Sequence, residues 1–585
     1  MLPSLINIAP FRDAIEKDQL ILTANQRLAA QIQQAWGKSM VHSAKVWKAP
    51  RVMSLEHWLN FCWNELQDQN HPLVDGYAQI GKLQNLFYWE QAIKQHDDSV
   101  DQSFTAMAND CYDLLKRWQI PIDSLDDPSA AVYKFKRWAS SYQKIIDNNK
   151  LLTVASAWQI VGEAFLQQAL PAEQHIYLYG FQSIAPLQQW IIETASQSTK
   201  TIDTFTQAAS VTKFECTDPS EELQVAANWA AQQLLTNPKQ RIGIVIPDLN
   251  NRVLETARVI NEALAANNCS TAVNITAGVK LAETPLLQSA LALLELLEYQ
   301  LRTQHWLGIL NAPYSHFSRL PIQFKVDCEL EIRSAKKHEL GLDKFIQIIR
   351  GQQAKLEDPN VVQAQLQPLY DIQQSIRQTG SQQRSFSEWA EFYNQFIKQL
   401  GWPGLSNPTS LEYQQIQYWE KLLGFFCELD NLGIQISRSK ALWYLHKLAN
   451  EHLFHPQTGD APLQVMGLLE AVGLQFDQLW ITGMHHGNLP AAGSMNPVLS
   501  ATYQRMQKMP FSVPENELAI SKNLLSGFTS NSRQLFISYP GTDGKTPLEQ
   551  SPLIKHYSYQ DVASKIATLA IPGWLVQPYQ CNIAE

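Results

Sequence analysis

Residues 463–490, LQVMGLLEAVGLQFDQLWITGMHHGNLP, decide how the rest of the chain is read. Within them, QLWIT (478–482) is a short apolar run without polar alternation, as a strand covered on both faces requires. Four more runs share that character: QLILT (19–23), HIYLY (175–179), RIGIVI (241–246) and QLFISY (534–539). Each leads into a helical pattern, which predicts parallel sheets built from βα units. Long stretches with aromatics at helical spacing lie between them, such as Trp58 and Phe61, or Tyr133 and Trp138. The expected fold is α/β, with two parallel-sheet cores each interrupted by a mostly helical insertion. The predicted boundaries are 1–49 with 171–210 for the first core and 50–170 for its insertion. The second core takes 211–282 with 460–545, its insertion 283–459, and a C-terminal tail 546–585.

Composition narrows the functional classes. Hydrophobic residues make up 45% of the 585, ordinary for globular protein and enough for a large core. No run of 18 apolar residues occurs, and the N-terminus MLPSLINIAPFRDAIEKD has no basic region followed by an apolar one. Neither a membrane span nor a signal peptide is expected. The seven cysteines (Cys62, Cys111, Cys216, Cys269, Cys328, Cys427 and Cys581) include no C-x-x-C pair and read as reduced, cytoplasmic thiols. A net charge of −9 argues against a protein that coats nucleic acid non-specifically, and leaves room for a local basic groove. The seventeen tryptophans, spread over the whole chain, read as core packing.

A nucleotide site is not expected. A phosphate-binding loop needs glycines, so that backbone N–H groups wrap the phosphates, and a lysine to meet their charge. No glycine precedes Gly37. One decoy, GTDGKT from Gly541 to Thr546, follows the run QLFISY. The first glycine of the phosphate-loop pattern would fall on Tyr539, and Pro547 sits where the helix should begin, so a surface turn is predicted. His485 and His486 are successive, without a nearby cysteine or acid, and read as turn residues rather than metal ligands. No metal or cofactor is expected.

Two segments carry candidate nucleic-acid contacts. In TANQRLAA (23–30), Asn25 and Arg27 stand at a predicted helix N-terminus and suit phosphate contact; Asn25 equally suits a simple helix cap. In YKFKRWASSYQK (133–144), Lys134, Lys136, Arg137 and Lys144 alternate with Tyr133, Trp138 and Tyr142. Basic residues beside aromatics suit single-stranded nucleic acid, and a solvated helix face over a packed aromatic seam has the same pattern.

The order of these segments resembles superfamily 1 helicases of the UvrD type. The fifth helicase motif reads V-x-T-x-H-x-x-K-G-L-E-F-x-x-V-x-x-x-G. Its frame survives as Val465, Gly473, Leu474, Phe476, Leu479, Gly483 and Pro490. The polar working positions hold Gly467, Leu469, Val472 and Gln475. IYLYGFQS (176–183) is similar to the second motif, D-E-F-Q-D, with its acids replaced by Tyr179, Gly180 and Ser183. The arginines of the fourth and sixth motifs fall on Pro247 and Ser530. Loss of the acids and arginines removes the groups that hold magnesium and stabilise phosphoryl transfer.

N-x-R-L-A, then G-F-Q-S-x-x-P-L-Q, then G-L-x-F-D-x-L-W-x-x-G resembles a bacterial family of probable DNA repair proteins, or inactivated superfamily 1 helicases, related to the AddB subunit of AddAB. The resemblance covers essentially the whole chain and is strongest over 462–552. It implies two RecA-like cores with 1B-like and 2B-like insertions, and an inactive module that scaffolds an AddAB/RecBCD-like helicase–nuclease in double-strand break repair. The implied partners are single-stranded or partly unwound DNA and a UvrD/AddA-like helicase subunit. Such proteins usually continue into a PD-(D/E)XK nuclease domain; neither G-x-x-D-R-x-D nor D-x-K-T occurs here, so any nuclease is expected beyond Glu585. Two alternatives stay open: a purely structural protein-interaction scaffold, and a divergent active translocase.

Overall fold

The computed structural model describes residues 2–41, 46–96, 102–204, 209–298, 300–334, 338–379, 382–456, 460–491 and 493–558. Cys581 and most of the predicted tail lie outside them. The chain divides into two compact units, Met1–Ala277 with Thr458–Glu585, and Gly278–Gln457.

The first unit holds two larger sheets, each parallel throughout. In chain order the first has β1 (Leu20–Thr23), β2 (Val52–Ser54), β3 (Glu173–Tyr179) and β4 (Ser196–Thr201), arranged β2-β1-β3-β4. The second has β5 (Ser210–Cys216), β6 (Ile242–Val245), β7 (Val273–Ile275), β8 (Leu463–Met466), β9 (Phe476–Ile481) and β10 (Ser532–Pro540). Its order is β5-β10-β9-β6-β8-β7. The five apolar runs predicted as strands are β1, β3, β6, β9 and β10. Strand β2 falls inside the stretch assigned to the first insertion, because its three residues, VMS, are too few to show a pattern.

Alternate residues of the strands face opposite sides, as the pleat dictates. Leu20, Leu22, Ile176 and Leu178 pack against Trp58 and Trp63 of α1 (Leu55–Asp68), Trp158 of the helix Val154–Leu166 and Ile191 of the helix Pro186–Ala195. Ile21 and Tyr179 face the other way, into a core that also takes Met466, Leu474, Phe476, Leu479 and Ile481 from the second sheet. The two sheets thus share one apolar interior. On the far side of the second sheet, Trp480 stacks on Phe214 with ring centroids 5.3 Å apart, and Trp229 closes the cluster at 5.1 Å. The Trp480 indole N–H donates to Ser538 Oγ at 2.8 Å, which removes the cost of burying it.

A bundle of three helices, Lys82–Lys94, Gln102–Arg117 and Ala130–Asn148, extends the first unit. At its centre Trp89 lies flat on Tyr142 at 4.1 Å, with Tyr112 and Phe135 around them. Leu499, Tyr503 and Met509 join this cluster, and Ser500 N–H donates to Asp127 at 2.7 Å.

The second unit is mostly helical. Val279–Lys280 pairs antiparallel with Leu453–Phe454 and so joins its two ends. Its interior is aromatic: Trp306 stacks on Phe345 at 4.4 Å, and the Trp402 N–H donates to Leu286 O at 2.9 Å. No helix among the described residues is long and apolar enough to cross a membrane.

Buried and exposed aromatics should separate cleanly by mutation. Trp480→Ala should cost about 3–5 kcal/mol of stability through lost transfer and an unfilled cavity, and Tyr133→Ala, on an exposed side chain, less than about 0.5 kcal/mol. Denaturant melts of the two variants read the difference.

Candidate nucleotide cleft and nucleic-acid interface

The turn after β1 is two residues long, Ala24 and Asn25, before the helix Gln26–Met40 begins. Asn25 has extended backbone, and its side-chain oxygen accepts from Leu28 N–H at 2.8 Å. Its amide donates to Leu469 O at 3.4 Å. Asn25 therefore caps this helix. No loop is present here that could wrap phosphates.

Arg27 follows on the first turn of that helix. Its Nη2 donates to Gln464 Oε1 of β8 at 2.7 Å, and Asn274 donates to the same oxygen at 2.8 Å. Desolvation pushes the guanidinium down to about 10, opposed by the attraction of Glu470. Glu470 in turn accepts from Thr276 Oγ1 at 2.6 Å and Gly467 N–H at 2.7 Å. The sequence reading aimed Arg27 at DNA phosphate; the structure turns that nitrogen to a partner inside the protein, because β8 lies directly in front of the helix.

Where β3 ends, Tyr179, Gly180 and Ser183 line a cleft of about 670 Å³. Tyr179 Oη donates to Gly473 O at 2.7 Å, lies 3.0 Å from Thr204 Oγ1, and is pushed up to about 12 by burial. The phenol therefore stays protonated and acts as a donor. Gly473 has φ +78°, and a Cβ there would meet the Tyr179 ring at 2.9 Å, so only glycine serves. Ser183, Asp203, Asn523, Ser530 and Asn531 also line the cleft. No lysine or arginine lines it among the described residues. Pro247 is not at the cleft; it packs beside Gly483. The structure thus gathers Tyr179, Ser183 and Ser530 around one space and leaves Pro247 elsewhere. A space with one carboxylate and no cation is a poor host for polyphosphate.

Lys134 and Arg137 are exposed on the helix Ala130–Asn148, with Arg137 Nη2 3.3 Å from His96 Nδ1. Trp138 and Tyr142 of the same segment are buried and cannot stack on bases; Tyr133 is 68% exposed. The remaining candidates are resolved by local geometry. Thr542–Asp543 pairs with Thr546–Pro547 as a tight hairpin, so GTDGKT is a turn. His485 N–H contacts Gly483 O, its ring accepts from Gly487 N–H at 3.1 Å, and His486 N–H donates to Glu549 O. Among the described residues no cluster of three His, Cys, Asp or Glu is placed to hold a metal ion.

Sequence reasoning missed a buried acid. Glu222, 2% exposed, accepts from Gly483 N–H at 2.8 Å and is pushed up to about 7 by desolvation, against the pull of its hydrogen bonds from Ser538 and Gly483. Nothing in a helix reading PSEELQVAANWAAQQLLT marks the second of two adjacent glutamates as the inward one.

No protein-family model matches the chain, and no curated protein matches it.

Glu222 should make stability depend on pH. Below the ordinary carboxyl range, folded and unfolded chains both carry the proton. Between that range and about 7 the folded chain keeps a proton that the unfolded chain has released, so stability falls as pH rises and the loss is complete above about 7. Glu222→Gln keeps the acceptor and removes the titration. The variant should match the parent near pH 4 and exceed it by roughly 1–3 kcal/mol near pH 8 in paired denaturation curves.

Proposed function

We propose that this chain is a catalytically inactive, superfamily 1 helicase-like module with two degenerate RecA-like cores, which binds DNA and scaffolds a helicase–nuclease of the AddAB/RecBCD kind in double-strand break repair. The observation that carries the reading is the junction at Tyr179. A position that would hold a magnesium-binding carboxylate in a motor holds a phenol, and that phenol bonds to the backbone of the segment resembling the fifth motif. A motor closes and opens its two cores around nucleotide. Here the inner faces of the two sheets share one core, and prying apart even five of its buried side chains would cost roughly 10 kcal/mol. A groove that need not be ordered by ligand binds with less conformational cost. Unwinding is then the task of a UvrD/AddA-like ATPase partner.

A second reading, a protein-interaction scaffold that does not bind DNA, is favoured by one observation: Asn25 and Arg27 both engage groups within the chain. Oligonucleotide binding separates the two readings.

Titration of the chain with magnesium–ATP should give no binding heat, because the cleft offers a single carboxylate and, among the described residues, no phosphate cation. Micromolar, magnesium-dependent binding would restore the divergent-translocase alternative. Isolation from the native host should recover the chain with a UvrD-like helicase; recovery as a free monomer would count against the scaffold role.

A further inference from the structure

Away from the cleft at Tyr179, a cavity of about 780 Å³ opens between the helices Gln102–Arg117, Ala130–Asn148 and Val154–Leu166. Three lysines from two elements line it. Lys136 and Lys144 stand on one face of the helix Ala130–Asn148, eight residues and about two turns apart, and Lys116 comes from the helix Gln102–Arg117. Among the described residues none of the three has a carboxylate partner within ion-pair distance. Lys116 sits over the Tyr112 ring, 5.4 Å from its centroid, and burial holds its ammonium below the usual lysine value. Asp147 attracts it from beyond ion-pair distance, and a partly desolvated cation held only at that range gains more from an arriving anion than a solvated one does.

Trp190 lines the same cavity from the helix Pro186–Ala195. It reaches this position because residue 162 is glycine: a Cβ there would lie 2.1 Å from a Trp190 ring carbon. The cavity thus combines cations on opposite helices with an aromatic side chain and the hydrogen-bonding groups of Gln119 and Ser140. Its volume lies within the range of small-ligand sites, and is far too small for a duplex. Asp123 and Glu163 also line it, so three ammonium groups face two carboxylates. The two carboxylates weigh against any polyanion alike, and the indole favours one that also brings an aromatic base.

We propose that this cavity, through Lys116, Lys136, Lys144 and Trp190, holds a short length of single-stranded nucleic acid, with phosphates at the lysines and a base against the indole. The proposal rests on the reading above that the chain binds DNA. It moves the contact from the junction of the two sheets, where Arg27 is already engaged, to the helical part of the first unit. Lys134 and Arg137, exposed on the same helix, do not line the cavity.

Fluorescence anisotropy of a labelled oligo-dT with the full chain, over a range of salt, tests it. The double variant Lys136→Glu/Lys144→Glu should bind at least tenfold more weakly, with the salt slope reduced by about two, as expected when two phosphate contacts go. A control double variant, Lys239→Glu/Lys355→Glu, changes net charge equally at exposed sites elsewhere and should shift affinity less than threefold. Lys116→Gln should weaken binding several-fold without altering the melting temperature. If the parent binds oligo-dT and the two double variants behave alike, the site is wrong and the DNA reading survives. If the parent binds no oligo-dT, the DNA reading falls and the site with it. Equal competition by poly-glutamate, or equal affinity for duplex, would also overturn the site.

Discussion

The hydrogen bond from Tyr179 to the carbonyl of Gly473 joins the end of β3 to the segment that leads into β9, and much of the first unit depends on that closeness. It is possible only because the residue at 473 has no side chain and a positive φ. Around it the chain adds further ties between the sheets. The N-terminal segment supplies two carbonyls, with Gln475 N–H donating to Leu5 O at 2.8 Å and Arg241 Nε to Pro3 O at 2.6 Å. Lys38 pairs with Asp460 at 2.7 Å, and Arg27 reaches Gln464. A hydrogen bond of this kind adds about 1 kcal/mol net, so the ties fix the register of the two sheets, and the apolar core between them supplies most of the cohesion.

Buried ions in this region are satisfied rather than poised. Arg241, 2% exposed, uses Nε, Nη1 and Nη2 on Pro3 O, Ala461 O and Asp460. Lys213, also buried, donates to Gln550 and to Ile554 O. Such groups hold segments distant in sequence at fixed places, and removing one partner would strand a charge. Glu222 differs because desolvation outweighs its hydrogen bonds, leaving it to titrate near neutrality. Lys116, Lys136 and Lys144 differ in the opposite way: they have room and no carboxylate within ion-pair distance among the described residues, and this sets the helical cavity apart from the crowded junction between the sheets.

The contrast between the two candidate regions follows from what lines them. The cleft beside Tyr179 retains a space at the end of a parallel strand, a common location for ligands in α/β proteins, but its walls are amides, hydroxyls and one carboxylate. Shape alone would assign it a nucleotide; charge argues otherwise. The helical cavity has no such topological precedent and has the cations.

By itself the sequence determined five of the six central strands, because a strand buried on both faces must be apolar at every position, and QLILT, HIYLY, RIGIVI, QLWIT and QLFISY are nearly so; β8, LQVM, was missed. It marked aromatics at helical spacing as core, which holds for Trp58 and Trp138 and fails for Phe61 and Tyr133, both exposed, and it marked GTDGKT followed by proline as a turn. It did not reveal β4, whose residues SQSTKT are polar because the strand lies at a sheet edge and faces water. The partner of Arg27 was left to tertiary structure: Gln464, which accepts from its guanidinium, lies 437 residues away. Tyr179 and Gly473 are 294 residues apart, and their contact is invisible locally for the same reason. The convergence of Lys116 and Trp190 with Lys136 and Lys144 was likewise left to the fold. Periodicity reports which face of an element is buried, and only the packing of elements decides which side chains meet.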